Sequence, residues 1–120
     1  LRKEGLPRRE ILKRGKDFNH ILREGLWEKG EYFVIYYTWA DDRKAGFAAS
    51  RKIDTKVKRN RAKRLMREIY RKNRDLLPEG HYVFMALPQI FDADFEELIR
   101  SFESLAERIR KRKENEKNSG

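Results

Sequence analysis

Between Glu31 and Trp39 almost every position is aromatic or β-branched. Written as a strand, this segment puts Phe33, Ile35, Tyr37 and Trp39 on one face and Tyr32, Val34, Tyr36 and Thr38 on the other. Neither row is polar enough to face water alone, so both faces of the sheet that holds this strand must be at least partly covered. A second strand is expected over His81 to Leu87, after Pro78 and Gly80, and it is apolar enough to lie centrally in the sheet. Asp41 to Lys44 reads as a polar turn and Ala45 to Ser50 as a further strand of small residues, forming a hairpin with the first.

Three helices supply the cover. Phe18, Ile21 and Leu22 recur at i, i+3 and i+4 with Gly25 as the stop, which predicts a short helix from about Lys16 to Glu24. Asp54 is placed to cap a second helix from about Thr55 to Asn73, whose apolar stripe is Ala62, Leu65, Met66, Ile69 and Tyr70. Asp94 and Glu97 have capping-box spacing. The stripe that follows, Phe95, Leu98, Ile99, Phe102, Leu105, Ala106 and Ile109, runs to about Arg112. Residues 1–15, with Gly5, Pro7 and Gly15, read as an extended basic arm, and Lys113 to Gly120, lacking an apolar anchor, as a frayed tail. At 120 residues the chain is expected to be a single domain, and the order of elements indicates an α+β sandwich with helices packed on a sheet.

The charge is as localised as the apolar residues. The chain has 30 basic and 20 acidic residues, and the whole excess lies in the 24 residues from Arg51 to Arg74, where twelve Lys or Arg face only Asp54 and Glu68. On the helix this charge sits opposite the apolar stripe: Asn60, Arg64, Arg67 and Arg71 form the front, flanked by Arg59 and Lys63 on one side and by Arg61, Glu68 and Lys72 on the other. A like-charged front repels itself unless a polyanion relieves it, and the acidic partners four residues away that would mark a solvated face are absent apart from Glu68. Seven of the twelve cations are arginine, which forks onto phosphate oxygens, so nucleic acid is the expected polyanion.

Other chemistry has little support. Without cysteine, disulfides and thiolate metal sites are excluded. No apolar run is long enough for a membrane span, and a soluble, cytoplasmic protein without membrane association is expected. His20 and His81 lie far apart without an adjacent nucleophile, so no catalytic residues are assigned. Asp92, Asp94, Glu96 and Glu97 read as helix N-terminal acids and not as a divalent-cation site, leaving no metal ligands. Trp27 and Trp39 read as packing residues or hairpin cover.

The run Lys58-Arg59-Asn60-Arg61-Ala62-Lys63-Arg64-Leu65-Met66-Arg67-Glu68 closely resembles the Arg-Asn-Arg signature of the bacterial ribonuclease P protein subunit. Gly46-Phe47-Ala48-Ala49-Ser50-Arg51-Lys52 is similar to a strand of that family that normally ends Ser-Lys-Lys. Asp17-Phe18 with Ile21, Leu22 and Gly25 resembles its first helix, and Tyr36 falls at its aromatic strand position. The resemblance covers about Leu12 to Ile109 and departs from the usual Gly and Ala at Asp54 and Lys56, and from the usual Lys at Arg51. It implies an α-β-β-β-α-β-α order, about four strands with three helices, and a left-handed β-α-β crossover where general statistics favour the right-handed one.

The resemblance further implies an accessory subunit that binds a catalytic RNA, the RNA carrying out phosphodiester hydrolysis with Mg²⁺, to remove the 5′ leader of precursor tRNA. On this reading Arg51, Lys52, Lys56, Arg59, Asn60, Arg61, Arg64, Arg67 and Arg71 meet the catalytic RNA. Phe18, Leu22, Tyr36, Ala48, Ser50 and Lys63 line a cleft for the single-stranded leader, where aromatic platforms edged by cations suit unpaired bases. From the residues alone, Phe18 and Leu22 read first as ordinary core of a small helix, and the family match brings core and cleft level. The expected partners are the catalytic RNA and the leader, with no obligate protein partner. Two other readings stand beside this one: a ribosomal or other structural RNA-binding protein, and a self-sufficient nuclease, for which the helix front offers only Glu68.

Overall fold

The computed structural model describes residues 5–119. Helix α1 spans Lys16–Glu24, followed by strands β1 (Leu26–Lys29), β2 (Phe33–Trp39) and β3 (Arg43–Ala49). Helix α2 (Lys56–Asn73), strand β4 (Gly80–Ala86) and helix α3 (Phe95–Ser119) complete the order expected from the resemblance. The strands form one mixed sheet in the order β1-β2-β4-β3, with β1 and β4 antiparallel to β2, and β3 parallel to β4.

The expected hairpin between β2 and β3 does not form. β4 lies between them, pairing Tyr37 with Tyr82 on one side and Ala45 with Tyr82 on the other. The short link Ala40–Asp42 straddles two strand spacings, roughly 9.5 Å, a reach that three extended residues and their flanking bonds cover. Burial explains the insertion: Tyr82, Val83 and Phe84 are all fully buried, so β4 is apolar on both faces and takes a central position, while the small residues of β3 go to an edge. The hairpin partner of β2 is instead β1, whose Leu-Trp-Glu-Lys sequence carries too little alternation to announce a strand.

Both faces of β2 are covered, as its composition requires. On one side Phe33, Ile35 and Tyr37 join Tyr82, Phe84 and Ala86 under α2 and α3, packing against Met66, Ile69, Tyr70, Phe102 and Ile109. Phe84 anchors this layer, stacked 5.7 Å from Phe47 and 5.9 Å from Phe102. On the other side Val83 and Ala48 lie under Phe18 and Ile21 of α1 and under Leu12, with Leu22, Tyr36 and Met85 at the margin.

Within the described residues, both terminal segments carry more contacts to the sheet than their composition predicts. Of the arm, residues 1–4 lie outside the described residues; the remainder makes a 3-10 turn at Arg8–Glu10, and Ile11 bridges to Ala45. The Leu12 N–H donates to the Ala45 carbonyl at 2.8 Å, so the arm covers the outer edge of β3. Helix α3 continues past Arg112 to Ser119, held by polar contacts where apolar ones run out. Arg112 pairs with Glu28 at 3.0 Å, Lys113 sits 4.7 Å over the Trp39 ring, and the Trp39 indole N–H donates to Glu116 at 2.8 Å. Gly120 lies outside the described residues.

Candidate nucleic-acid interface

Helix α2 is capped by Thr55, not Asp54: the Thr55 hydroxyl accepts the Lys58 N–H at 3.1 Å, while Asp54 pairs with the Lys58 ammonium at 3.5 Å. Its back buries Ala62, Met66, Ile69 and Tyr70, with Leu65 half-buried. Its front presents Lys56, Asn60, Arg61, Arg64 and Arg67 to solvent, with Arg51 and Lys52 exposed just before it. The guanidinium of Arg61 lies 5.6 Å over Phe91 and that of Arg67 5.6 Å over Phe47, so their apolar stems are seated while the charge stays outside. Arg59 donates to the Ile53 carbonyl at 2.7 Å and thereby fixes the loop that enters the helix. Arg71 is bonded to Glu68, and that bond, with the nearby Lys72, holds the Glu68 carboxyl below the usual glutamate range.

Folding adds cations that the linear charge pattern does not reveal. A groove of about 600 Å³ runs between the arm and α2, with Arg8, Lys13 and Arg14 on one wall and Lys63, Arg64 and Arg67 on the other. Phe18 and Phe47 also line this groove, and no carboxylate does. A smaller cavity of about 320 Å³ continues it past Arg51, Lys56 and Arg59, again with no acidic residue in its lining. Such a surface concentrates positive potential against low-dielectric walls, which draws in phosphates.

The six residues proposed for the leader divide between two neighbouring hollows. Leu22, Tyr36, Ala48 and Ser50 line one of about 430 Å³, with Val34 and Met85. Phe18 and Lys63 line the cationic groove instead, and Phe18 is only 2% exposed, packed as core with the Arg14 guanidinium 5.0 Å above its ring. Arg14 lines both hollows and the smaller cavity, so it joins the cationic groove to the hollow at Tyr36. Sequence reasoning passed over Arg8, Lys13 and Arg14 because they lie far from the basic stretch and are interspersed with Glu10 and Asp17. The adjacent Lys13-Arg14 pair just before the first helix was the available signal.

The arm is held in place chemically as well as by its bridge. Glu10 accepts from the Tyr70 hydroxyl at 3.0 Å and from Arg74 at 2.6 Å. Burial first, and the charge of Glu10 second, push the Tyr70 hydroxyl well above the usual tyrosine range, so it is a proton donor at all physiological pH. This contact occupies the acidic charge of Glu10 at the back of α2, away from the groove.

His81 is paired with Asp42 at 2.7 Å, holding that carboxyl below the usual range, and His20 is exposed on α1. Asp94 and Glu97 cap α3 reciprocally: the Asp94 N–H donates to Glu97 at 3.1 Å and the Glu97 N–H to Asp94 at 2.9 Å. Among the described residues no three of His, Asp or Glu gather in a way that could hold a metal ion, and no helix is long and apolar enough to cross a membrane.

Residues 6–110 match the family model described as Ribonuclease P. The chain belongs to the ribonuclease P protein family. The ribonuclease P protein component of a Nitratiruptor species is 36% identical over 104 residues, which are 87% of this chain and 95% of that protein. That of Acidothermus cellulolyticus is 35% identical over 116 residues, covering 92% of this chain and 97% of the relative. The solved structure of the ribonuclease P protein from Thermotoga maritima superposes with a TM-score of 0.68 at 28% identity, covering 89% of this chain and 98% of that one. The Staphylococcus aureus protein shares the fold, with a TM-score of 0.69 at 23% identity, covering 82% and 93% of the two chains. As a ribonuclease P protein, this chain is the accessory subunit of a ribonucleoprotein endoribonuclease of tRNA processing, and its partner is the RNA subunit.

Proposed function

We propose that the groove between the arm and α2 receives phosphates of the catalytic RNA and that the adjoining hollow at Leu22, Tyr36, Ala48 and Ser50 holds the 5′ leader of precursor tRNA. Arg51, Lys52, Lys56, Arg59, Asn60, Arg61, Arg64, Arg67 and Arg71 meet the RNA subunit, now joined by Arg8, Lys13 and Arg14. Tyr36 offers an unpaired base a half-buried ring, while Lys63 acts from the neighbouring groove, whose floor the packed Phe18 supports. Mg²⁺ serves the hydrolysis through the RNA subunit. The particle works in the cytoplasm, and the protein needs no other obligate protein partner. The observation that carries this reading is a groove lined by six cations and no carboxylate that opens, through Arg14, onto an aromatic hollow.

Reconstitution with the catalytic RNA tests it. The protein with Mg²⁺ alone is expected to leave precursor tRNA intact, and the assembled particle to release the leader at low salt. Restored RNA binding with no gain in leader removal would assign the protein a structural RNA-binding role instead. Replacing Arg64 and Arg67 by Ala is expected to flatten the salt dependence of RNA affinity by roughly 0.7 to 0.9 in log-log slope per lost phosphate contact. An unchanged slope removes the front of α2 from the interface.

A further inference from the structure

The α1 side of the sheet continues past the hollow to the edge formed by β1. In the register of β1 against β2, Trp27 stands opposite Tyr36 and Lys29 opposite Val34. Opposed residues of an antiparallel pair project on the same face, and Tyr36 and Val34 line the hollow, so Trp27 and Lys29 are the next side chains on that face, one strand farther out. Their neighbours on β1 face the other way: Leu26 packs against the main core, and Glu28 accepts from the Tyr37 hydroxyl at 3.3 Å and pairs with Arg112.

Trp27 is 54% exposed, and only Val57 among the large hydrophobic residues described is comparably open. A single exposed aromatic residue normally needs no explanation. This one stands at the end of a row that already holds Tyr36, with Lys29 exposed two residues away, the combination of ring and cation that binds single strands. Its position is fixed by the chain: a Cβ on Gly25 would lie 2.6 Å from the Ile21 carbonyl oxygen and 2.8 Å from that of Tyr37, so α1 ends against β2 and β1 starts at once. At the opposite edge Arg51 follows β3 and lines the hollow with Arg14, which gives the face a cationic end from which a strand can run toward β1.

We propose that Trp27 and Lys29 extend the single-stranded RNA path across the whole sheet. Trp27 stacks on an unpaired base of the leader beyond the one held at Tyr36, and Lys29 neutralises an adjoining phosphate. This rests on the reading of the hollow as the leader site. The test is binding of the reconstituted holoenzyme to precursor tRNAs whose unpaired leaders are lengthened one nucleotide at a time. Wild-type affinity rises when the leader becomes long enough to reach β1, and in Trp27→Ala that rise shrinks roughly 5- to 150-fold, the effect of one lost base stack. Trp27→Phe, which keeps a ring, retains most of the rise.

A Trp27→Ala profile identical to wild type at every length overturns the proposal. So does a loss that is the same for all leaders and for mature tRNA, which would place Trp27 against the RNA subunit or in folding. Tyr36→Ala separates this from failure of the underlying reading. If it weakens short leaders while Trp27→Ala changes nothing, the extension alone is wrong; if it changes no leader, the hollow is not the leader site and both readings fall.

Discussion

Gly46 shows how much one residue can be asked to allow. A Cβ there would meet the Phe18 ring at 2.6 Å and the Leu12 carbonyl oxygen at 2.7 Å, so α1 and the arm both lean on the bare backbone of β3. No glycine described here lies in the left-handed region of φ; the requirement is close approach and not backbone conformation. Gly46→Ala is therefore expected to destabilise the protein by about 1–3 kcal/mol, the range for forcing an extra carbon into a packed site, seen as a lower urea midpoint. An unaltered midpoint would mean that arm and α1 withdraw at no cost. Gly25 carries a related lesson: it stops α1 as its position suggested, yet with φ near −75°, for proximity to β2 and not for a left-handed turn. By its spacing Phe18 reads first as core, and the family match makes cleft its equal; its burial under Arg14 shows the ring to be packed.

At the scale of the element, α2 is an amphipathic helix whose polar face has one sign. Glu68 is its only acid, and its partners Arg71 and Lys72 lower its pKa, the hydrogen bond from Arg71 first. A folded-state pKa below the unfolded one means that Glu68 contributes stability above the ordinary glutamate range, and that this contribution is lost as pH falls through the lowered value. Glu68→Gln is expected to remove that acid-side dependence and to raise the charge of the helix by one. RNA affinity should then increase at low salt and converge on wild type as salt screens the difference. Titrating RNA binding against salt for both proteins checks this; weaker binding by the variant at low salt would show that Glu68 positions Arg71 for the RNA. The limits of this helix were legible to within a residue since periodicity and capping are local, although its cap is Thr55 and not the neighbouring Asp54.

At the scale of the molecule, the sheet joins parts that are remote in sequence. β4 separates β2 from β3, the arm lies along the edge of β3, and the end of α3 reaches back to Trp39. The last contact sets an expectation for the tail. Ending the chain after Arg112 removes Lys113 from the Trp39 ring and Glu116 from its indole N–H while sparing the Arg112 pair with Glu28. The loss of one cation–π contact and one exposed hydrogen bond should cost about 1 kcal/mol, a fall of roughly 3–6 °C in Tm for a domain of this size. Thermal unfolding followed by tryptophan emission measures it, and an unchanged Tm would make the last turns of α3 dispensable to the fold. Leader removal by the reconstituted particle should persist, because the tail packs on Trp39 and lines neither the cationic groove nor the leader hollow.

The linear sequence sufficed for whatever depends on neighbours a few positions apart: three helices, the two-faced apolar strand, the capping box at Asp94 and Glu97, and the cationic front opposite the stripe of α2. Side-chain periodicity and charge act over one or two turns, so they are written in the order of residues. Strand order, the docking of the arm and the gathering of Arg8, Lys13 and Arg14 with Lys63, Arg64 and Arg67 were decided only in three dimensions. Those arrangements follow from which buried surfaces fit best across long separations: the strand apolar on both faces took the middle of the sheet, and its neighbours, with the cations they carry, were placed around it.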